Sequence, residues 1–454
     1  MSFRVEGTRT VVVGAGRSGR AAAELLASRG ARVTLTDLAP IEGADRLHAL
    51  GIVTDAGPHR PEVLVAADLV VLSPGVSPIQ DVVEAARRAG VPVIGEVELA
   101  FRWLAGRVIA ITGTKGKSTT TTLAAQMLRD AGFDAVAGGN LGMALSAQVA
   151  GSTPTSLHVV EVSSFQLETT DTFHPWIAVL LNLSPDHLDR HASFEAYGTA
   201  KARIFANQTP ADWAVINADD PGALALARQG RARRFDFALD AGIDTGVTVQ
   251  GDAIVRRTDM TTVPLVPLAS VRLPGRHLLA DVLAAVAVGA LAGVPAPVMR
   301  AAVERFGGLE HALERVAEIG GVAFVNDSKA TNIASARRAL ESFDRGVVAI
   351  MGGRFKGGRF EDLREAVAAH VTGIVAIGEA APLIHTALGA VVPVHDASSM
   401  REAVTRAAAL AAPGGVVLLA PACSSFDMFT DYADRGRAFK DAVERVRTME
   451  VRRD

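Results

Sequence analysis

Residues 108–128 read VIAITGTKGKSTTTTLAAQML. The run holds the parts of a phosphate-binding turn in an unusual spacing. The common form is G-x-x-x-x-G-K-[ST], whereas Gly113 and Gly116 have only two residues between them. The flanks argue that the turn serves the same task. RVIAIT before it is a short β-rich apolar run, which predicts a strand. STTTTLAAQMLRDAG after it places Leu123, Ala124, Met127 and Leu128 at helical spacing. Strand, glycine turn and helix bring free backbone N–H groups and the positive end of a helix dipole to Lys117 and Ser118. Lys115 and Lys117 suit phosphate charge, and Ser118 suits Mg2+. The alternative is a plain polar turn between strand and helix.

Strands and helices alternate on both sides of this turn. Upstream, TRTVVVGAG, ARVTLTD and ADLVVLSPG read as strands with a helix at RSGRAAAELLASRG, a βαβ pattern that predicts a parallel sheet. The region closes near GVPVIGEVELAFRWLAG, where a strand leads into a short helix. Downstream, SLHVVEVSSF, IAVLLNLS and WAVINADDP are strand-like, and the polar stretch from Arg233 to Asp259 alternates as antiparallel hairpins do. A last region from about Phe306 alternates again, with strands at VAFVNDS, GVVAIMGG, GIVAIG and GGVVLLAPA. The 454 residues, at roughly 150 per domain, agree with three α/β domains.

Composition removes several function classes. A net charge of −3 gives no basic field for nucleic acid. The one cysteine, Cys423, excludes an internal disulfide framework and fits a reducing cytosol. Without a nearby base it reads as packing rather than as a nucleophile. The N-terminal MSFRVEGTRTVVVGAG runs into a strand pattern and lacks the apolar core of a signal peptide, so a cytoplasmic place is expected. Residues Val282–Met299 carry no charge, but Pro295 and Pro297 interrupt them. We read a buried helix of about a dozen residues there rather than a membrane span.

Polar residues gather where strands should end. Gly14, Gly16 and Gly19 have the G-x-G-x-x-G spacing after a strand, and Asp37 ends the next one. That is the dinucleotide fingerprint. A βα turn that merely packs is the plainer reading, and any nucleoside diphosphate is as good a ligand as NAD or FAD. LSPGVS at 72–77 ends another strand of the same sheet. VVEVSSFQLE brings Glu161, Ser163 and Ser164: the acid suits Mg2+, and the serines suit a helix cap equally well. NLSPDHLDRH and the helix after it hold Asp186, His187, Asp189, Arg190, His191 and Lys201. His187 is a candidate metal ligand or proton carrier. His191 reads as a solvated loop residue, and Lys201, by itself, as a surface lysine. VNDSKATN, MGGRFKGG and PACSSFDMF put Lys329, Lys356, Ser424, Ser425 and Phe429 after three further strands, at the edge where α/β sheets bind ligands.

Taken together, GTKGKST, EVSSFQLE, NLSPDHLDRH, AKARIF, INADDP, NDSKATN, LLAPACSSFDMF and RGRAF resemble the Mur ligases of peptidoglycan synthesis, in order and over nearly the whole chain. The resemblance is strongest to the glutamate-adding branch. It implies three domains at 1–96, 97–307 and 308–454: a Rossmann-like uridine domain, a central ATP domain with a short phosphate loop, and a Rossmann-like domain for the incoming amino acid. It implies that UDP-N-acetylmuramoyl-L-alanine and D-glutamate are joined at the expense of ATP through an acyl phosphate, in a process that sets cell shape and division. Gly16, Arg17, Ser18, Asp37, Gly75, Asn140 and His187 would meet the UDP substrate. Gly113, Thr114, Lys115, Gly116, Lys117, Ser118, Thr119, Asp281 and Asp327 would meet ATP. Ser118, Glu161, His187 and Lys201 would form the Mg2+ site, with Lys201 carbamylated, and Lys117, His187 and Lys201 would be catalytic. Thr331, Lys329, Lys356, Ser425 and Tyr432 would hold the glutamate. The resemblance also implies a monomer and domain closure around the substrates.

The chain departs from the family pattern in two places. In GLEHALERV, His311 is followed by Ala312 where relatives carry an arginine, for which Arg315 is a possible substitute. In RHLLADVL, Leu278 and Asp281 replace two asparagines, and Asp281 can still accept from an adenine amino group. The departures leave L-glutamate as an alternative substrate. They also leave another Mur ligase activity, or a non-catalytic nucleotide-binding homologue, as alternatives. A nicotinamide oxidoreductase would leave the second phosphate loop without a purpose.

Overall fold

The computed structural model describes residues 3–187, 190–228 and 230–450. Its contacts divide the chain into two compact units, one of residues 1–271 and 280–305, the other of 272–279 and 306–454.

The first unit opens with strands β1 (Arg9–Val13), β2 (Arg32–Asp37), β3 (Val53–Ala56), β4 (Leu69–Leu72) and β5 (Val93–Gly95). They form a parallel sheet in the order β3-β2-β1-β4-β5. Parallel neighbours need crossover connections, and the helix Arg17–Ser28 supplies the first. Both faces are covered, so Val11, Val12 and Val13 of β1 are all buried. One consequence is a close approach at the first turn. A Cβ added to Gly19 would stand 1.8 Å from the carbonyl oxygen of Gly14, while one added to Gly16 meets nothing within 4 Å.

The second sheet comprises β6 (Arg107–Thr112), β7 (Ala135–Gly139), β8 (Leu157–Glu161), β9 (Ile177–Leu180), β10 (Trp213–Ile216) and β11 (Arg233–Arg234). Its order is β11-β10-β9-β6-β8-β7. β6 therefore lies between β8 and β9, and the turns leaving these three strands are neighbours. Leu25, Val97, Ala100, Leu145 and Val149 join the core beneath this sheet, which packs the first domain's helices onto the second. Glu98 completes the joint: its buried carboxylate accepts from the N–H groups of Asp171, Thr172 and Phe173 and from Arg102.

A small third sheet holds β12 (Asp236–Ala238), β13 (Gly246–Gln250), β14 (Ala253–Arg257) and β15 (Thr262–Pro267). β13, β14 and β15 pair antiparallel, as the alternation predicts. β12 pairs parallel with β13, and β11 parallel with β10, against that expectation. The apolar helix is Arg276–Ala292, so it starts before the uncharged run at Val282 and outruns the expected length. It stops ahead of Pro295, and a second helix, Ala296–Arg305, follows. Among the described residues no helix is long and apolar enough to cross a membrane.

The second unit contains β16 (Glu314–Ile319), β17 (Val322–Asn326), β18 (Val347–Gly352), β19 (Val371–Ile377), β20 (Val394–Ala397) and β21 (Val416–Leu419). The order is β16-β17-β21-β18-β19-β20, parallel except for the β16–β17 pair. The edge strands β16 and β20 escape a sequence reading because both mix polar and apolar residues. The turns after β17, β21 and β18 stand side by side. Both faces are packed, one by Leu340, Leu363 and Ile384, the other by Phe324, Val404 and Phe439.

The close approach at the first turn yields a test. Gly19→Ala is expected to lose about 1–3 kcal/mol of stability through overpacking, and Gly16→Ala to stay within about 0.5 kcal/mol of the parent. Urea unfolding of the two variants measures the difference.

Candidate active site

The phosphate loop is held from inside. Gly116 caps the helix Lys117–Asp130 with φ of 85°, in the left-handed region that glycine enters without strain. Lys117 Nζ donates to the carbonyls of Gly113 and Thr114, both at 2.9 Å. Lys201 Nζ donates to the Gly113 carbonyl at 2.8 Å. With its carbonyls turned to amines, the loop leaves the first N–H groups of the helix, which lack intrahelical partners, for an anion. Lys201 is 1 % exposed, which corrects its reading as a surface lysine. Burial, and next the charge of Lys117, push its amine down to about 7.

Neighbouring strands supply the remaining groups. From β8, Glu161 Oε2 accepts from Ser118 Oγ at 2.6 Å, and its Oε1 accepts from Asn140 Nδ2 at 2.7 Å. Beyond β9, Asn182 exchanges bonds with the backbone of Lys115, and Asp186 pairs with Lys115 Nζ at 3.0 Å. Tyr197 OH lies 3.0 Å from Thr114 Oγ1, and its ring lies 4.6 Å from Lys201 Nζ. Asn182, the first residue of NLSPDHLDRH, and Tyr197 support the loop although the sequence reading singles out neither as a site residue. Thr119 is buried in the first helical turn.

Asp281 is buried against this loop. A Cβ on Gly116 would come within 1.9 Å of its Oδ1. Burial raises its carboxyl from the ordinary 3.8 to about 8, against the pull of Lys117. At neutral pH the group is largely the neutral acid and can donate a hydrogen bond, as an asparagine amide can.

His187 adopts φ of 54° beside the ring of Phe165, with centroids 5.0 Å apart. His191 is not solvated, as the sequence led us to expect. It is buried, its Nε2 3.0 Å from Ser164 Oγ and its Nδ1 3.2 Å from Glu168, and it stacks on Phe165. The Arg190 guanidinium also lies over Phe165, 3.9 Å from the ring centroid, and its Nη2 donates to the Val76 carbonyl at 2.9 Å. Asp189 lies outside the described residues. Ser163 caps the short helix Ser164–Leu167 in a capping box with Gln166.

In the first sheet, the Gly14–Gly19 turn, Asp37 and the turn holding Gly75 follow β1, β2 and β4, which are mutual neighbours through β1. Arg17 and Ser18 open the helix that follows the turn. Asp37 Oδ2 accepts from Ala15 N–H at 2.6 Å and Oδ1 from Ala39 N–H at 2.9 Å. Burial works against its charge, but these N–H groups win and hold the carboxyl below its ordinary range.

The second unit gathers its own cluster. Lys329 and Thr331 follow β17, Ser425 follows β21, and Lys356 follows β18. Lys329 and Lys356 are exposed, and Ser425 is buried. Lys356 Nζ lies 6.0 Å from the Phe426 centroid, and the Tyr432 ring stands edge-on to His311. Asp327 is buried with its carboxyl raised to about 7. Arg315 does not turn inward to replace the arginine missing at Ala312: it is half exposed and paired with Glu318.

The donors fit Mg2+ in one respect and not in another. A serine hydroxyl and a carboxylate in contact suit a cation that takes one or two protein oxygens with waters and phosphates. Among the described residues, however, no three His, Cys, Asp or Glu side chains cluster as a self-sufficient metal cage.

Asp281 provides a pH test. A carboxyl raised on folding adds stability at low pH and loses it as pH climbs from about 4 to about 8. The stability of Asp281→Asn relative to the parent is therefore expected to improve over that interval, as urea unfolding at about pH 5 and about pH 8 would show.

Comparison with known proteins agrees along the whole chain. Family models match in order: the Mur ligase MurD-like N-terminal domain at residues 8–95, the Mur ligase middle domain at 111–289, and the Mur ligase glutamate ligase domain at 313–423. A UDP-N-acetylmuramoylalanine–D-glutamate ligase of Acidobacterium capsulatum is 46% identical over 447 residues, 97% of each chain. Its counterpart in Koribacter versatilis is 42% identical, covering 98% of this chain and 99% of the other. Among solved structures, UDP-N-acetylmuramate-alanine ligase MurC of Thermotoga maritima shares the fold with a TM-score of 0.58 at 19% identity, covering 97% of this chain and all of that one. With three domain models in register and near-full-length relatives above two-fifths identity, this chain belongs to the Mur ligase family.

Proposed function

We propose that the protein is the ATP-dependent ligase that joins D-glutamate to the free carboxylate of UDP-N-acetylmuramoyl-L-alanine. The observation that carries this reading is the full-length identity to D-glutamate ligases, together with a phosphate loop flanked by Glu161 and Lys201. We take 1–96, 97–307 and 308–454 as the domain division, a choice supported by family models at 8–95, 111–289 and 313–423.

A carboxylate is a poor acyl donor and must first be activated. In this reading its oxygen attacks the γ-phosphorus of ATP, the bond to ADP breaks, and an acyl phosphate results. Lys117 and the first N–H groups of its helix neutralise the charge gathering on the phosphate oxygens. Ser118 and Glu161 are the residues we assign to Mg2+, which when bound offsets further phosphate charge. The neutral glutamate amine then attacks the acyl carbon, the C–O bond breaks with its electrons going to inorganic phosphate, and the nitrogen gives up one proton to solvent as the amide forms. Asn140 and His187 are assigned to orienting the acyl end, and Gly16, Arg17, Ser18, Asp37 and Gly75 to the UDP end. Lys356, Thr331 and Ser425 are assigned to the carboxylates of the glutamate, with Lys329 and Tyr432 at the rim.

Lys201 is the residue whose state matters most. Its neighbourhood disfavours the ammonium form, and only a neutral amine adds to CO2. We therefore assign it a carbamate, which changes a buried cation into a carboxylate-like group beside the phosphate loop. A monomer in the cytoplasm completes the reading.

Two experiments bear on this. Phosphate release from Mg-ATP and UDP-N-acetylmuramoyl-L-alanine is expected with D-glutamate, matched by the new peptide product, and not without an amino acid. Release with L-glutamate alone would keep the mechanism and change the amino-acid specificity, whereas no release with either would remove the ligase reading. Lys201→Ala is expected to lower kcat by at least about a hundredfold and to regain part of it with added short carboxylates. Full activity without rescue would remove the carbamate.

A further inference from the structure

The second unit buries a guanidinium that none of the roles above employs. Arg435, in the helix Tyr432–Glu450, is 0 % exposed. Its Nε donates to Ser328 Oγ at 3.0 Å, its Nη2 to the Ser328 carbonyl at 2.9 Å, and its Nη1 to the Cys423 carbonyl at 3.1 Å. All three acceptors are neutral. Among the described residues no carboxylate lies within ion-pair distance of it, and Asp427 acts on it only through space. A charge removed from water without a partnered anion is costly, so its retention asks for a return elsewhere.

Its position shows where that return falls. Ser328 belongs to the turn after β17, and Cys423 to the turn after β21. Nη1 also lies 3.2 Å from where a Cβ on Gly353 would stand, in the turn after β18. One planar group thus hydrogen-bonds the turn that carries Lys329 and Thr331 and the turn that carries Ser425, and stands close against the turn that carries Lys356. The turns are laced to each other as well. Ala422 N–H donates to the Ala330 carbonyl at 2.9 Å, and the backbones of Arg354 and Ser424 exchange two bonds at 3.0 Å. Ala422 is held at φ of 59°, a conformation a residue with a Cβ keeps only where its surroundings over-determine it.

We infer that Arg435 is the positioning residue of the amino-acid pocket: it locks the three turns in register and, as a fixed cation beneath them, favours an amino acid with two carboxylates. The inference rests on the glutamate reading of the second unit. A guanidinium suits the task because its fork reaches several carbonyls at once, which an ammonium does not. Its field reaches the pocket with little screening because water is excluded around it.

The test is steady-state phosphate release by the full chain and its Arg435→Gln, Arg435→Lys and Ser328→Ala variants. Release by the unaltered chain with D-glutamate reports on the ligase reading alone, and its absence overturns both proposals. Given release, Arg435→Gln is expected to raise the glutamate KM at least about tenfold while the ATP KM moves less than about twofold. Arg435→Lys is expected to recover part of the loss through its charge. Equal effects on both substrates, or an unchanged glutamate KM in a cooperatively melting protein, would overturn the inference. Should Arg435→Gln fail to fold, Ser328→Ala decides: it removes the hydroxyl that accepts from Arg435 Nε and donates to the Tyr432 carbonyl, and leaves the guanidinium in place. A glutamate KM raised about threefold with ATP unaffected supports the role, and an unchanged one overturns it.

Discussion

Two amines share one carbonyl. The oxygen of Gly113 accepts from Lys117 Nζ and from Lys201 Nζ, and much of the site follows from that geometry. Carbonyls pulled inward leave the helix N–H groups for phosphate, so the short loop keeps the anion-binding design of the longer form with fewer residues. Two like charges in one dry pocket also oppose each other. Lys201, the more buried, pays by losing its preference for the charged form. Tyr197, which contacts both the loop and Lys201, ties the helix Phe194–Ala202 to that arrangement.

The three parallel sheets apply one rule to different ligands. Each sets the turns of neighbouring strands side by side at its carboxyl edge, where main-chain groups converge. Where they differ is in what braces the turns. Around the first turn the brace is a carboxylate, Asp37, accepting two N–H groups. In the central sheet it is a pair of amines. In the second unit it is the guanidinium of Arg435 donating to carbonyls. The sign of the brace matches its partners: an acid collects N–H groups, a base collects carbonyls.

Much of this was legible in the chain. Val, Ile and Leu runs bounded by glycine mark the buried parallel strands, because such strands are covered on both faces and need no alternation. Edge strands β16 and β20, half polar, carry no such mark. Cys423 reads as packing, and it is fully buried with its thiol pushed up to about 12. The motif residues Lys117, Ser118, Glu161 and Asn140 do converge, since each follows a strand of the same sheet or opens the helix beside it. His191 and Lys201 were misread as exposed for the same reason. Burial of a polar side chain depends on what covers it, and nothing local to either residue announces Phe165 or Tyr197. Arg315 was offered as a substitute arginine on proximity in sequence, but strand β16 turns it outward to Glu318.

By itself, then, the sequence determined the alternation of strands and helices, the turn chemistry at each strand end, and the family, because local propensity and motif spacing act over a few residues. The tertiary structure alone decided which turns became neighbours. Strand order is set by crossover connections and by packing between elements far apart in the chain, so β6 between β8 and β9, and β21 between β17 and β18, could not be read along it. It also decided the charge states of Asp281, Asp327 and Lys201. Those depend on the water excluded around each group and on the sign of its neighbours, which are properties of the folded core.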